Sequence, residues 1–181
     1  NVEFTAVSDP WRIRRERAAE RCKEWYGRPG RAFVSYRDIL ALDDIDAVMI
    51  AMDVPGNQVK AHFEHMRAIP NFGGCIATIP HKQATADCMD EMSERAGDLA
   101  AVNVVRAESG RLIGDMVDGL GFMLAARAKG LDMHGKRAAI IGGGVTGAAI
   151  ALAMAEAGTA EIVIQEIRTH RHVFLKQLLR N

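Results

Sequence analysis

The chain has 181 residues, enough for one domain or two small ones with a real hydrophobic core. Its residues are 49% hydrophobic and 25% charged, with 23 basic side chains balancing 23 acidic ones, which excludes fibrous, collagen-like and disordered classes. Zero net charge also argues against a nucleic-acid partner, because phosphate neutralisation calls for a basic excess. Cys22, Cys75 and Cys88 are too few and too widely spaced for a disulfide framework or a C-x-x-C site. They read as reduced thiols, so a cytoplasmic location is expected. The first residue is Asn1 and no secretory layout follows it, so the chain reads as a fragment or a processed form.

The elements follow in alternation. Residues 2–7 are β-rich and alternating, and Ser8, Asp9 and Pro10 then supply a cap and a proline suited to the first helical position. In the helix that follows, Trp11, Ala18, Cys22 and Trp25 fall on one face, expected to be buried, and Gly27 ends it. A short strand over 31–34 and a short helix over 36–42 come next. The apolar run 47–52 predicts a strand buried on both faces. Helical periodicity over 57–68, a strand over 74–79, one or two helices within 81–97, and strands over 101–106 and 111–115 carry the pattern on. The last two are separated by Glu108, Ser109 and Gly110. This order predicts a layered α/β fold with mainly parallel sheets.

After a helix over 118–130, the sharpest signal arrives. Residues 137–141 read as a strand and 142–147 as G-x-G-x-x-G, followed by an Ala-rich helix over 148–157 and a second strand over 161–164. That is one βαβ unit of Rossmann type. Glycines are needed there because the backbone must turn tightly, admit a pyrophosphate and pack the helix on the strand. Gly142, Gly143, Gly144, Val145 and Gly147 are therefore candidate cofactor-binding residues. Glu166, placed 19 residues after Gly147, supplies the acidic end of the second strand. It can accept ribose hydroxyls and repels a 2′-phosphate, which favours NAD; Arg168 and Arg171 just beyond it keep NADP open. The 18 uncharged residues 138–155 reach the length of a membrane span, but the loop glycines interrupt them, so no membrane span is expected.

Three more segments carry chemistry. These are Thr78-Ile79-Pro80-His81-Lys82, Ala101-Val102-Asn103 and Gly114-Asp115-Met116-Val117-Asp118-Gly119. With the Gly-rich loop after them, in this order, they resemble the shikimate dehydrogenase family over about residues 48–164. The resemblance implies that Lys82 and Asp118 are a catalytic pair and that Thr78 and Asn103 bind substrate. It further implies hydride transfer between a nicotinamide and a secondary alcohol or ketone of a shikimate-like or quinate-like hydroxy acid. The chemistry is reasonable on its own terms. Alcohol oxidation needs a group to take the hydroxyl proton, a lysine with a tuned pKa can do so, and a carboxylate can orient that lysine.

The sequence also departs from the pattern. Ile76 and Ala77 replace an Asn and a Val, and Met116 and Val117 replace an Asn and a Thr. Ile76, Met116 and Val117 each lack a polar group that could reach a substrate hydroxyl, so discrimination against shikimate is expected. A two-serine motif expected near the family's N-terminus is absent, and the G-D-M-x-D-G form is closer to a shikimate dehydrogenase-like subgroup. Residues 1–47 resemble instead a fragment of the Gfo/Idh/MocA sugar oxidoreductases, with Asp9 either a ribose ligand or a plain cap. A fusion or a concatenation of pieces would explain this.

The remaining candidates are weaker. His62 with His65, and His170 with His172, lack a third ligand at suitable spacing, so no metal is expected. Met89, Met92, Met116, Met123 and Met154 read as core filler. The domains are expected to be a substrate side over 1–117 and a dinucleotide-binding part over 118–181, with a small-molecule partner and self-association into a homodimer left open. The competing classes are a non-catalytic or truncated dinucleotide-binding module and a Gfo/Idh/MocA-type sugar oxidoreductase.

Overall fold

The computed structural model describes residues 3–168, 175, 178 and 179. Packing divides the chain at Asp53/Val54 into two units. His170, Arg171 and His172 lie outside the described residues.

The first unit is a small βαβ arrangement. Strand β1 (Ala6–Ser8) pairs in parallel with β2 (Arg31–Phe33), and α1 (Arg12–Tyr26) connects them. The Asp9 carboxylate accepts the Trp11 N–H at 2.7 Å, the local turn role of an Asx residue. Helix α1 starts at Arg12, so Pro10 stands outside its first turn. At the far end Gly27 takes the left-handed conformation, φ 78°, and its N–H donates to Lys23 O. A second helix, α2 (Tyr36–Leu40), is capped by Ser35, whose hydroxyl accepts from the Arg37 N–H.

Two expectations fail in this unit. Only Ala19 and Cys22 of α1 are buried, whereas Trp11 and Trp25 are 65% and 59% exposed. The two strands β1 and β2 offer too narrow a surface for a wide apolar stripe, and the Trp11 ring is covered by the Arg14 guanidinium, 4.4 Å from its centroid. Residues 47–52 form no strand, with Met49 71% exposed. A doubly buried strand needs flanking strands, and among the described residues of this unit β1 and β2 pair only with each other.

The second unit holds two sheets. In the larger, the strand order is β3 (Gly74–Ile76), β5 (Val104–Glu108), β6 (Arg111–Asp115), β4 (Glu91–Met92). Strands β5 and β6 form an antiparallel hairpin whose two turn residues, Ser109 and Gly110, both have positive φ, while β4 joins β6 in parallel. Helices α3 (Val59–Arg67), α4 (Lys82–Ala86) and α5 (Glu94–Leu99) lie between the strands in sequence. The smaller sheet pairs β7 (Arg137–Ile141) in parallel with β8 (Glu161–Gln165), with α7 (Val145–Glu156) as the crossover, as the Gly-rich motif predicts. Among the described residues three of the strand pairings are parallel and two antiparallel, a mixed α/β architecture.

Helix α6 (Asp118–Ala128) joins the two sheets by packing on α7. Their backbones meet at Gly119, where an added Cβ would lie 2.1 Å from Ala149 O and 3.1 Å from Ala153 Cβ. Small residues let the helices approach, and that approach carries Asp118 to the first turn of α7. One core then runs from Phe63 through Leu99, Val102, Leu112 and Met116 to Ala148 and Ala149. The residues on either side of 117 therefore belong to one packed body. Among the described residues, no helix is long and apolar enough to cross a membrane.

Candidate active site

Backbone bonds lace the three motif segments together. The Ala77 N–H donates to Asn103 O at 2.8 Å, the Val102 N–H to Lys82 O at 2.9 Å, and the Asn103 N–H to Asp115 O at 2.9 Å. The side chains of Lys82, Asn103 and Asp118 are thereby gathered although they are far apart in sequence.

Lys82 opens α4 and is 9% exposed. A buried ammonium needs partners, and it has two. Its Nζ donates to Asp118 Oδ2 at 2.5 Å and to Thr146 Oγ1 at 3.0 Å. The Thr146 hydroxyl donates in turn to Asp118 Oδ2 at 2.9 Å. The other carboxylate oxygen, Oδ1, accepts from Asn103 Nδ2 at 2.6 Å, while Asn103 Oδ1 accepts from the Val117 N–H at 2.9 Å. That second bond fixes which end of the Asn103 amide faces the carboxylate. Burial pushes the Asp118 carboxyl up, but the bonds from Lys82 and Thr146, the Lys82 charge and the Asn103 bond outweigh it and hold the group below its ordinary value.

Asp115, at the end of β6, has a different task. Its Oδ1 accepts from Ser93 Oγ at 2.6 Å, from Arg95 Nε at 2.8 Å and from the Met116 N–H at 2.7 Å, and its Oδ2 accepts from Arg95 Nη2 at 2.5 Å. It anchors the start of α5 to the end of β6. Here too burial raises the carboxyl, and the Arg95 and Ser93 bonds, the Met116 N–H and the Arg95 charge lower it further than burial lifts it. Asp90 is lowered by its bond from Arg67 and by the Leu112 N–H. Depressed carboxyls contribute stability that is present above their unfolded value and lost as pH falls through their folded values. The thermal midpoint is therefore expected to hold down to about pH 5 and to fall below about pH 4, the ordinary Asp range. Asp115→Asn should flatten that fall, as circular dichroism across pH would show; an equally steep fall in the variant would contradict the assignment.

The Gly-rich loop is folded tightly. The Gly142 N–H donates to Gln165 O at 2.8 Å, and a Cβ on Gly147 would lie 2.1 Å from Gly142 O, so only glycine fits. Gly144 is the N-cap of α7 and offers no side chain to its first-turn amides. Those amides, beside Val145, suit the acceptor oxygens of a phosphate. Glu166, just past β8, accepts the Gly143 N–H on Oε2 and the Arg168 N–H on Oε1, both at 2.9 Å. The Arg168 side chain is exposed. The loop and its acidic neighbour fit a dinucleotide.

Other candidates fall elsewhere. Thr78 is exposed on the turn before α4, its carbonyl accepting from the His81 N–H. Ile76 is 64% exposed on β3, and Val117 is half-buried. Met116 is 1% exposed within the core, so it is no wall for a substrate; its burial matches the filler role instead. Met116→Asn is accordingly expected to destabilise the protein by about 1 to 3 kcal/mol, the cost of burying an amide poorly partnered, rather than to open the site to a hydroxyl. Denaturant unfolding would measure it, and an unchanged midpoint would contradict it. Thr146 is the residue that sequence reasoning passes over, because it stands at a variable position of the loop motif and only the packing of α6 on α7 brings it to Asp118.

Several known proteins are similar to this chain. Residues 33–105 match the shikimate dehydrogenase substrate binding domain. A shikimate dehydrogenase (NADP(+)) of Rubrobacter xylanophilus is 35% identical over 136 residues, covering 75% of this chain and 48% of the relative. Its counterpart in Symbiobacterium thermophilum is 34% identical over 135 residues, covering 75% and 46%. Among solved structures, shikimate 5-dehydrogenase from Thermus thermophilus, in complex with NADP(H) and shikimate, is 30% identical with a TM-score of 0.63, covering 71% of this chain and 48% of that one. A ligand-free 5-ketofructose reductase of Gluconobacter sp. strain CHM43 is 32% identical, also at a TM-score of 0.63, covering 71% and 46%. The chain thus spans about half the length of the curated relatives it matches. Over the span that these matches cover, the chain is similar to the shikimate dehydrogenase family.

Proposed function

We propose that the chain carries the proton-transfer site and the cofactor loop of an NAD(P)-dependent oxidoreductase of the shikimate dehydrogenase type. The substrate would be a secondary alcohol or ketone of a shikimate-like or quinate-like hydroxy acid. Residues up to 117 supply the substrate side and those from 118 the nucleotide side. The observation that carries this reading is the buried Lys82–Asp118 pair braced by Asn103.

In alcohol oxidation the neutral Lys82 amine takes the hydroxyl proton, and in ketone reduction the ammonium returns it. Asp118 keeps the Lys82 Nζ in one orientation and balances its charge when protonated. Asn103 fixes the carboxylate plane, and Thr78 and Asn103 are the proposed substrate contacts. The bound nicotinamide supplies or accepts the hydride. The loop glycines, Val145 and the first-turn amides of α7 would hold the pyrophosphate, with Glu166 and Arg168 near the adenosine ribose.

NADP is proposed ahead of NAD, reversing the preference that Glu166 alone suggests. The curated relatives are named for NADP(+). Both Glu166 oxygens already accept backbone N–H groups, so ribose hydroxyls would have to share them. The 32% identity to a 5-ketofructose reductase favours a second substrate class, an open-chain or cyclic polyhydroxy ketone. Calorimetric titration with NADP and NAD, followed by turnover assays with shikimate, quinate and a polyhydroxy ketone, tests the reading. Tighter NADP binding and turnover of one of these substrates are expected. Cofactor binding with no turnover of any of them would leave a binding module.

A further inference from the structure

We propose that Thr146 is a positioning residue that aims the Lys82 ammonium and couples it to the cofactor loop; this rests on the oxidoreductase reading. An ammonium has three N–H donors and no acceptor, and a carboxylate only accepts. Lys82 spends one donor on Asp118 Oδ2 and a second on Thr146 Oγ1, which leaves one N–H direction for a substrate oxygen. The single hydroxyl proton of Thr146 goes to Asp118 Oδ2, so its lone pairs face Lys82. With Asn103 holding Oδ1, the three groups define one closed arrangement. Without the hydroxyl, the lysine keeps only the Asp118 contact and can rotate about it.

The same residue belongs to the Gly-rich motif. Thr146 lies in the first turn of α7, between Val145 and Gly147, so its backbone shares the end of the helix that suits a phosphate while its side chain reaches the proton-transfer pair. A dinucleotide seated there would restrain Thr146 and, through it, Lys82. Among the described residues no direct side-chain hydrogen bond runs from the loop to Asn103, which is held by the Val117 N–H at the start of α6 and reaches Thr146 through Asp118 alone.

Thr146→Val keeps the β-branched shape and the backbone amide and removes the hydroxyl, and Thr146→Ser restores it. The valine variant is expected to lose about tenfold in kcat, with substrate KM and NADP affinity within about threefold, and the serine variant to recover most of the loss. A readout independent of turnover is the 15N signal of the Lys82 ammonium. Its protons should exchange with water several-fold faster in Thr146→Val than in the unmodified chain or Thr146→Ser. Added NADP should slow that exchange in the latter two and not in the valine variant. Unchanged exchange and unchanged kcat in Thr146→Val would overturn the proposal. If no protein binds NADP or turns over substrate, the oxidoreductase reading falls, yet the exchange comparison without cofactor still decides whether Thr146 positions Lys82.

Discussion

Lys82→Ala is expected to lower kcat by about 10²- to 10⁴-fold, while NADP affinity stays within about threefold, because a general acid–base group typically contributes that much and the cofactor loop is built from other residues. The fold should survive the change. Asp118 keeps its bonds from Asn103 and Thr146, so its charge is not left bare in the core. Asp118→Asn should cost a comparable factor, since an amide cannot balance the lysine charge, and the double variant should be little worse than either single one, as expected of groups that act as a unit. Steady-state kinetics on the three variants, with thermal midpoints to confirm folding, would check this. Turnover within threefold of the unmodified chain in Lys82→Ala would remove the lysine from the chemistry.

Gly119→Ala is expected to be strongly damaging at the α6–α7 contact. In an exposed helix interior, replacing glycine by alanine stabilises by about 0.5 to 1 kcal/mol. At Gly119 the added carbon would meet Ala149 O at 2.1 Å, a backbone atom that cannot step aside without moving α7. Overpacking of that kind typically costs about 1 to 3 kcal/mol and outweighs the propensity gain. It should also disturb the neighbouring Asp118 and its contact with Thr146, so activity should fall more than stability alone explains. Gly121, two residues along the same helix, is exposed and would meet nothing within 4 Å. Gly121→Ala should therefore stabilise by the propensity term. Denaturant midpoints of the pair would decide it, and equal effects would show that the α6–α7 approach does not constrain Gly119.

The features legible in the sequence are those set by short-range rules. The strand, Gly-rich turn, helix and strand over 137–165 follow from alternation and from glycine's tolerance of close approach, and the structure has them where periodicity places them. The hairpin turn at Ser109 and Gly110 is legible for the same reason. What needs three dimensions is not. A stretch such as residues 47–52 forms a buried strand only if strands flank it, and among the described residues of its unit β1 and β2 pair only with each other. Trp11 and Trp25 share a helical face, but which face is buried depends on the width of the sheet below it. Met116 lies inside a motif read as substrate-facing, yet side chains alternate at the end of β6, so Met116 turns into the core while the Val117 N–H turns to Asn103. The motif residues Lys82, Asn103 and Asp118 do come together, whereas Thr78 stays on an exposed turn and Thr146 enters from a different motif.

Hydride transfer itself can be followed most directly with a substrate deuterated at its carbinol carbon. Shikimate, quinate or the substrate found by turnover assay would be incubated with NADP and the chain, and the nicotinamide product analysed by mass spectrometry. The proposed chemistry predicts that deuterium arrives on the reduced nicotinamide and that Lys82→Ala slows its arrival by about 10²-fold or more. Reduced nicotinamide without deuterium, or cofactor binding with no label transfer from any of these substrates, would contradict it.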